Sequence, residues 1–311
     1  MMLDSNNMGT TASIDLDFLK KIIPDRGTLM MTQIKNGRVN NIPCSDFVAM
    51  GEQLRRTDVS GFDAYHACAS FQDSTSRTAR NAKFHKALFL DLDCGEDKAQ
   101  RNEGYATKNE ALVALKVFGK LVSLPKPMTV DSGGGIHVYW PFQTAVPTAN
   151  WKAAAEGLKS LCKSHSLLAD RQVTADAARI LRPVGSHNRK YEAPRPVKLI
   201  NDADCVDFES IKAIIDTAVN RFETAETSMN NWSNRKLSTT EALGSLAEQV
   251  NPNSYSLGEV EDALKLLNPE CPRSEWLPVG MAIADAFGET GRDLFLKWSR
   301  GDLREPNSGA P

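Results

Sequence analysis

Two aspartates end an apolar segment in the stretch KALFLDLDCGED, which runs from residue 86 to residue 97. The continuous apolar run ALFL before them is typical of a buried strand. Side chains two apart on a strand point to the same face, about 6.5 Å apart along the chain, and a buried carboxylate needs a partner. Asp91 and Asp93 are therefore candidates to hold one or two metal ions. The alternative is a strand that simply runs out into an acidic loop, since two more acids follow.

A second unusual segment is DSGGGIHVYW, residues 131–140, in which three glycines separate two predicted strands. Glycines allow positive φ and close approach, so their backbone N–H groups are able to point at an anion such as a polyphosphate. His137 follows directly on the second strand. A histidine there is also compatible with a purely structural role, and both interpretations stay open. We expect Asp131 to serve the turn.

The third segment, ADRQVTADAARILRPVGSHNRKY, spans residues 169–191 and combines acids with bases. Arg179 and Arg182 flank a short apolar run, where a guanidinium needs an anionic partner. Acids, convergent basic groups and an amide-rich turn are the components of metal-dependent phosphoryl or nucleotidyl transfer. The acids of this segment are Asp170 and Asp176, and its last basic cluster is His187, Arg189 and Lys190.

In this order, LFLDLD, SGGGIHVYW and ADRQVTADAARILRPVGSHNRK resemble the archaeo-eukaryotic primase superfamily, in particular its phage- and plasmid-type primase-polymerases. The resemblance covers about residues 25–215 and implies that Asp91, Asp93 and Asp170 are the catalytic metal ligands. It matches Gly135-Ile136-His137 to the nucleotide motif, with Gly135 where many members have Ser. Asp176 competes with Asp170; we prefer Asp170 because it precedes the arginine-bearing strand by about the family's distance. Asp176 is then expected to be a structural partner for an arginine.

The function that this resemblance implies is DNA-templated nucleotidyl transfer with two Mg²⁺ or Mn²⁺ ions, in phage or mobile-element replication. The expected partners are a single-stranded DNA template and NTP or dNTP. The chain has no GxxxxGK[ST] motif of its own, and the resemblance then implies either a separate replicative helicase as partner or a longer parent protein. The basic run of Arg189, Lys190, Arg195 and Lys198 is a candidate template track or else a solvated loop. The residues expected to bind the nucleotide are Ser132, Gly133, Gly134, Gly135, His137, Arg179, Arg182 and Lys190.

The predicted fold class is α+β, with a mixed β-sheet catalytic core of the RRM-like primase-polymerase type followed by a small all-α domain. The expected organisation is an N-terminal extension (1–24), a catalytic domain (25–222), a linker (223–255) and a helical domain (256–311). The tail elements EWLPVGMAIA and FLKWSR are similar to the helical domain that often follows the catalytic domain in phage primases. Their tryptophans are also expected to be core residues.

Composition is that of an ordinary globular protein: 311 residues, 41% hydrophobic, 24% charged, with a formal net charge of −2. Any nucleic-acid binding must therefore come from a local basic surface. The six cysteines are scattered without a CxxC pair, which argues against a zinc site of the usual spacing and favours a cytoplasmic setting. No apolar run is long enough for a membrane span.

Two alternatives remain at the level of sequence. FLDLDCG also resembles the opening motif of haloacid-dehalogenase-type phosphatases, with Asp91 as nucleophile and Asp93 as acid. That hypothesis needs a late acidic pair of the GDxxxD type after another strand, which the sequence lacks, and it leaves the glycine-histidine hairpin without a role. The other alternative is a nucleic-acid-binding replication accessory without catalytic activity.

Overall fold

The computed structural model describes residues 13–234, 256–265, 267–271 and 273–303. The chain divides into two compact units, one of residues 1–163 and 167–216 and one of residues 164–166 and 217–311. The predicted domain limits remain predictions. A helix continues through residues 208–234, across the predicted start of the linker, and the rest of that linker lies outside the described residues.

The first unit contains eleven strands and six helices among its described residues, the last helix continuing into the second unit. Its strands are β1 (Leu29–Lys35), β2 (Arg38–Cys44), β3 (Asp63–Ala67), β4 (Ala69–Phe71), β5 (Ala82–Asp93), β6 (Met128–Asp131), β7 (Gly135–Pro147), β8 (Ile180–Leu181), β9 (His187–Asn188), β10 (Arg195–Pro196) and β11 (Lys198–Asn201). Its helices are α1 (Leu16–Ile22), α2 (Phe47–Val59), α3 (Glu96–Gln100), α4 (Lys108–Val122), α5 (Thr148–Ser164) and α6 (Phe208–Asn234).

The larger sheet has the strand order β11-β6-β7-β5-β4, and β5, α4 and β6 form a split β-α-β unit within it. The α+β prediction is confirmed, but the mixed character of the sheet needs correction. Because β7 is inserted between β5 and β6, those two strands never pair, and every pairing between the named strands is antiparallel. Parallel contacts among the described residues are isolated bridges, for example between Cys94 and Tyr105.

The pairing of β5 with β7 brings two of the sequence segments together. In this register Asp91 lies opposite His137, and Asp93 lies opposite Gly135. Residues directly opposite on an antiparallel pair project from the same face. Helix α1 packs near this face, where Phe18 meets the ring of Tyr139 edge-on at 5.6 Å between centroids. Asp91 and Asp93 therefore lie at the end of β5, an interior strand of the sheet, and not in a free loop.

A second sheet, of order β2-β1-β3-β8, delivers the arginine segment. Strand β8 pairs with β3 through His66–Leu181 and Ala67–Ile180. Arg179 and Arg182 flank β8 and so lie at the edge of this sheet. The short ribbon of β9 and β10 follows, with Arg195 paired to Asn188.

The described part of the second unit beyond α6 is helical, with α7 (Leu257–Lys265), α8 (Arg273–Phe287), a 3₁₀ turn (Gly288–Gly291) and α9 (Arg292–Ser299). The predicted all-α tail is confirmed. Its core consists of Leu264, Ile283, Leu294, Phe295 and Trp298. Trp298 is 1% exposed, which confirms it as a core residue. None of the described helices is long and apolar enough to cross a membrane.

Candidate active site

The Asp91 carboxylate and the His137 ring form the centre of the candidate site. Asp91 Oδ1 lies 4.0 Å from His137 Nε2, with side-chain exposures of 18% and 6%. Within the described residues no side chain or amide donates a hydrogen bond to this carboxylate, and His137 Nδ1 is buried without a hydrogen-bond partner. A nearly buried carboxylate without a donor is costly, and such a group favours a bound proton or cation.

Electrostatics at this centre follow from burial. Burial, the neighbouring charge of Asp93 and then that of Asp170 raise the pKa of Asp91 to about 7. Burial, His66 and the nearby arginines hold the pKa of His137 well below its usual value. The imidazole is therefore neutral at pH 7 and offers a neutral N–H donor, instead of the charge-assisted contact expected of a protonated ring.

Asp93, unlike Asp91, already has a cationic partner. Lys98 Nζ lies 2.8 Å from Asp93 Oδ2 and 3.7 Å from Glu103 Oε2. The Asp93 carboxylate raises the pKa of Lys98 through this hydrogen bond. A metal ion bound by Asp93 would have to share or displace this ammonium group.

Asp170 reaches the site mainly through its backbone. Its N–H donates to the carbonyl oxygen of Asp91 at 2.9 Å, while its own Oδ1 accepts from Gln172 N at 2.8 Å. Among the described residues no three His, Cys, Asp or Glu side chains form a ready-made metal-binding group. Asp91, Asp93 and Asp170 are therefore neighbours whose carboxylates are not assembled as a cage.

Asp176 acts on an arginine through its charge alone, because its carboxylate raises the pKa of Arg77 against the lowering effect of burial. Its Oδ1 accepts from the amide of Ala178 at 2.9 Å, and no ion pair joins it to an arginine among the described residues. The reason is that an Asx turn satisfies the carboxylate locally, two residues along the chain.

Most of the predicted site residues line one cleft of about 650 Å³. A volume of this size lies in the usual range for small-ligand sites. A neighbouring cleft of about 480 Å³ is lined by Asp93, Lys98 and Asp170, so Asp93 borders both spaces and Asp170 the second. The predicted residues that line the larger cleft are Asp91, Asp93, Ser132, Gly134, His137, Arg179, Arg182 and Lys190.

The glycine turn is held by its own hydrogen bonds. Gly133 N donates to Asp131 Oδ1 at 2.8 Å, and Gly135 N donates to Ser132 Oγ at 3.1 Å. Two of the three amides expected to bind phosphate therefore already have acceptors, and the cradle of three amides is corrected to Gly134 alone. Asp131 serves the turn as expected, and it also accepts from Lys108 Nζ at 2.6 Å.

Gly135 is required by packing against β5. A Cβ atom at this position would lie 2.3 Å from the carbonyl oxygen of Leu92. Many primase-type chains have Ser at the position of Gly135. Here the backbones of β5 and β7 lie so close together that this position accepts only glycine. Gly133 has a different reason, because its φ of +80° is a conformation that glycine favours.

The two arginines beside β8 differ in how far the protein already uses them. Arg182 Nη1 lies 2.6 Å from Asp63 Oδ1, and Arg182 Cζ lies 4.5 Å from the centroid of the Tyr65 ring. The other terminal nitrogen of Arg182, Nη2, is buried without a hydrogen-bond partner. Arg179 Nε is likewise buried without one. Because a buried guanidinium N–H is costly to leave unpaired, both groups favour a bound acceptor.

The basic run after β8 is only partly available to a template. Arg189 Nη2 donates to the backbone oxygen of Asp58 at 2.6 Å, and His187 Nδ1 lies 2.8 Å from Asp58 Oδ2. These two side chains fix the segment to the end of α2, so Arg189 drops out of the predicted track. Lys190, Arg195 and Lys198 are exposed.

Sequence reasoning missed three contributors to the site. Lys98 lies five residues beyond Asp93 in the run EDKAQ, and its charge beside an acidic cluster was the available indication. Asn188 supports the glycine turn through Nδ2, which donates to the oxygen of Ser132 at 2.9 Å. Tyr65 lies on strand β3, far from the three site segments in the sequence, and no feature of its local sequence identifies it as a site residue.

Comparison with known proteins bears first on the tail of the chain. The family model described as Primase C terminal 2 (PriCT-2) matches residues 260–305. These residues are similar to a primase C-terminal domain. The expected likeness of the tail to the helical domain of primases is thereby confirmed, which favours the primase hypothesis over the phosphatase one. No curated protein sequence matches the chain.

Solved structures similar to this chain include two primases. The AEP domain of the cyanophage S-2L primase-polymerase is 18% identical, with a TM-score of 0.46 over 61% of this chain and 89% of that one. Primase RepB′ is 15% identical, with a TM-score of 0.40 over 90% of both chains. The catalytic domain of RepB′, solved in complex with initiator DNA, is 16% identical, with a TM-score of 0.37 over 65% of this chain and 90% of that one. Similarities of this size assign no role to any individual side chain.

Proposed function

We propose that this chain is a DNA-templated nucleotidyltransferase, a primase, a DNA polymerase or both, that synthesises primers on single-stranded DNA from NTP or dNTP. The observation that carries the proposal is the composition of the larger cleft. One wall presents Asp91 and Asp93, and the same space receives His137 and five cationic side chains, among them the predicted phosphate ligands Arg179, Arg182 and Lys190. Acids for metal ions beside cations for a triphosphate are what this chemistry requires. The primase C-terminal domain supports the same function.

The acids fit divalent metal ions. Asp91 is nearly buried, has no hydrogen-bond donor among the described residues, and its pKa is raised mainly by burial and by neighbouring acids. Mg²⁺ and Mn²⁺ prefer such carboxylate oxygens. Asp91 and Asp93 would hold two ions, with Asp170 as the third ligand once its carboxylate leaves Gln172. Bound there, the ions would lower the pKa of a primer 3′-hydroxyl and neutralise the triphosphate.

The phosphate side of the cleft is formed by groups with unsatisfied donors. Arg179 Nε and Arg182 Nη2 are buried without hydrogen-bond partners, and Lys190 is exposed with no ion pair among the described residues. A triphosphate in the cleft would accept from these groups and from the neutral ring of His137. Together they would hold the α-phosphorus near the acids and orient the leaving pyrophosphate.

The DNA template would follow the exposed basic side chains beyond β9, namely Lys190, Arg195 and Lys198. Because they are few, binding should be moderate and only modestly salt-dependent, with a slope of log affinity against log salt of about −2. A role in phage or mobile-element replication, with a separate helicase as partner, belongs to the same proposal. It follows from the primase resemblance and not from a contact surface.

The decisive experiment is incorporation of labelled nucleotide on single-stranded DNA, with and without an annealed primer, in Mg²⁺, in Mn²⁺ and in EDTA. We expect template-dependent products in either metal and none in EDTA. Asp91→Asn should abolish incorporation, whereas Asp17→Asn, the same change at an exposed acid on α1, should leave it unchanged. Absence of any product with wild-type protein on both templates would favour the inactive accessory instead.

A further inference from the structure

The hairpin between β9 and β10 carries an aromatic side chain that the proposed chemistry does not use. Tyr191 lies at the tip of this hairpin, is partly exposed and lines the larger cleft with Lys190 and Gly134. Its hydroxyl lies close to the glycine turn, since a Cβ atom at Gly134 would be 2.6 Å from it. The ring thus stands at the border between the glycine turn and the basic segment.

One face of this ring is already covered by a fixed cation. Arg195 Cζ lies 3.4 Å from the centroid of the Tyr191 ring, and Arg195 Nη1 donates to the oxygen of Gly133 at 3.2 Å. The guanidinium is therefore stacked on the ring and also tied to the turn. Arg195 in turn pairs with the buried Asn188 across the ribbon, so the stack is anchored to the fold at two points.

We propose that the Tyr191–Arg195 stack is a platform on which a nucleobase stacks as it enters the cleft. A tyrosine ring with one face held by a cation presents its other face as a rigid, sequence-tolerant surface for a base. The flanking Lys190 supplies a phosphate contact beside it. An aromatic ring interleaved with basic side chains is the usual arrangement for single-stranded nucleic acid and nucleotides.

The ligand class, a nucleobase, rests on the proposed nucleotidyl-transfer function. The same chemistry comes from two sources, the base of the incoming nucleotide and a base of the single-stranded template. A protein partner is less suited to this site, because the Asp91 side of the cleft and its cationic side together complement a metal-bound polyphosphate.

The test uses the full chain and the fluorescent base 2-aminopurine, whose emission is quenched by stacking. One arm titrates 2-aminopurine deoxyribonucleoside triphosphate in Mg²⁺ without template; the other titrates a single-stranded oligonucleotide that contains one 2-aminopurine, in EDTA. Loss of a stacked aromatic should weaken binding about 5- to 150-fold. We therefore expect Tyr191→Ala to show this loss, together with loss of quenching, in at least one arm, and Tyr191→Phe to retain both.

A matched control is Phe62→Ala. Phe62 also carries a cation on its ring, Lys35 Nζ at 4.5 Å from the centroid, but it does not line the cleft. This variant should bind both probes as wild type does, with melting temperatures recorded for all proteins.

The arm that loses affinity identifies the source of the base. Unchanged affinity and quenching of Tyr191→Ala in both arms, or an equal loss in Phe62→Ala, overturns the inference. The proposed function is scored separately, by primed incorporation with wild-type protein. Incorporation by wild type together with unchanged Tyr191→Ala binding rejects the platform alone, whereas a binding loss without any incorporation supports the platform and rejects the function.

Discussion

At the residue scale, Asp91 shows how a functional group lowers the stability of the fold at neutral and higher pH. Its pKa is raised from 3.8 to about 7, so the folded protein holds a proton that the unfolded chain releases. This contribution to stability is fully present below pH 4 and is lost as the pH rises through 7. A tenfold difference in proton affinity between the folded and unfolded chain corresponds to about 1.4 kcal/mol.

The corresponding prediction concerns Asp91→Asn in EDTA. We expect the variant to melt at a higher temperature than wild type at pH 8, and we expect that gain to shrink as the pH falls toward 4. Thermal unfolding at several pH values measures it. Addition of Mn²⁺ should stabilise wild type and the Asp17→Asn control but not Asp91→Asn. A difference between the two proteins that does not vary with pH, or equal stabilisation by Mn²⁺, would contradict the assignment.

A second residue-scale prediction separates the two roles of His137. His137 is 4% exposed as a whole residue, so His137→Ala should lower the free energy of unfolding by about 1–3 kcal/mol. Because the ring is neutral, the folded variant should lose one neutral hydrogen bond to the nucleotide, about a 2- to 12-fold loss of affinity. Titration of a nucleoside triphosphate beside thermal unfolding measures both quantities.

The matched control for His137 is His66→Ala. His66 is also fully buried, and both its ring nitrogens lack hydrogen-bond partners, but it does not line the cleft. This variant should lose stability and keep its nucleotide affinity. If the two variants behave alike in the titration, His137 is structural.

At the element scale, the pairing of β5 with β7 is what places the acids beside the histidine, and Gly135 permits that pairing. A Cβ atom there would lie 2.3 Å from the backbone oxygen of Leu92, whereas one at Gly134 would meet only the ends of side chains, first the Tyr191 hydroxyl at 2.6 Å. We expect Gly135→Ala to cost about 1–3 kcal/mol because backbone must move. Gly134→Ala should cost less, because side-chain ends are able to shift. Urea unfolding of the two variants makes the comparison, and equal losses would refute it.

At the scale of the whole molecule, the two compact units predict separable activities. All the cleft residues lie in the first unit, so a fragment that ends at residue 224 should still extend a primed template. It should lose much of its ability to start chains without a primer, if the helical tail holds the initiating nucleotide or template. The measurement is the ratio of unprimed to primed incorporation, and an equal ratio in fragment and full chain would reject that role.

A variant of the full chain provides the control for that truncation. Trp298 is 1% exposed and lies in the core of the helical tail, so Trp298→Ala should unfold or weaken that unit, at a cost of about 3–5 kcal/mol. Primed extension should remain while initiation falls as in the fragment. Loss of both activities would show that the first unit depends on the second.

The sequence by itself determined the chemical types and the local geometry of the site. The apolar run ending in Asp91 and Asp93 requires a strand, and a strand places both acids on one face. The glycines of residues 133–135 require a tight turn before His137. The amphipathic spacing of the tail and its likeness to the tails of phage primases were enough to predict a helical C-terminal domain. The family match at residues 260–305 supports this prediction.

Only the tertiary structure decided which of these groups meet. The partnership of Asp91 with His137 depends on the β5–β7 register, and a shift of one residue would send one side chain to the other face. Local competition also lies beyond the sequence pattern: the amides of Gly133 and Gly135 are taken by Asp131 and Ser132. The pairing of β5 with β7, by contrast, joins residues far apart in the chain, and its energy depends on burial that no local pattern specifies.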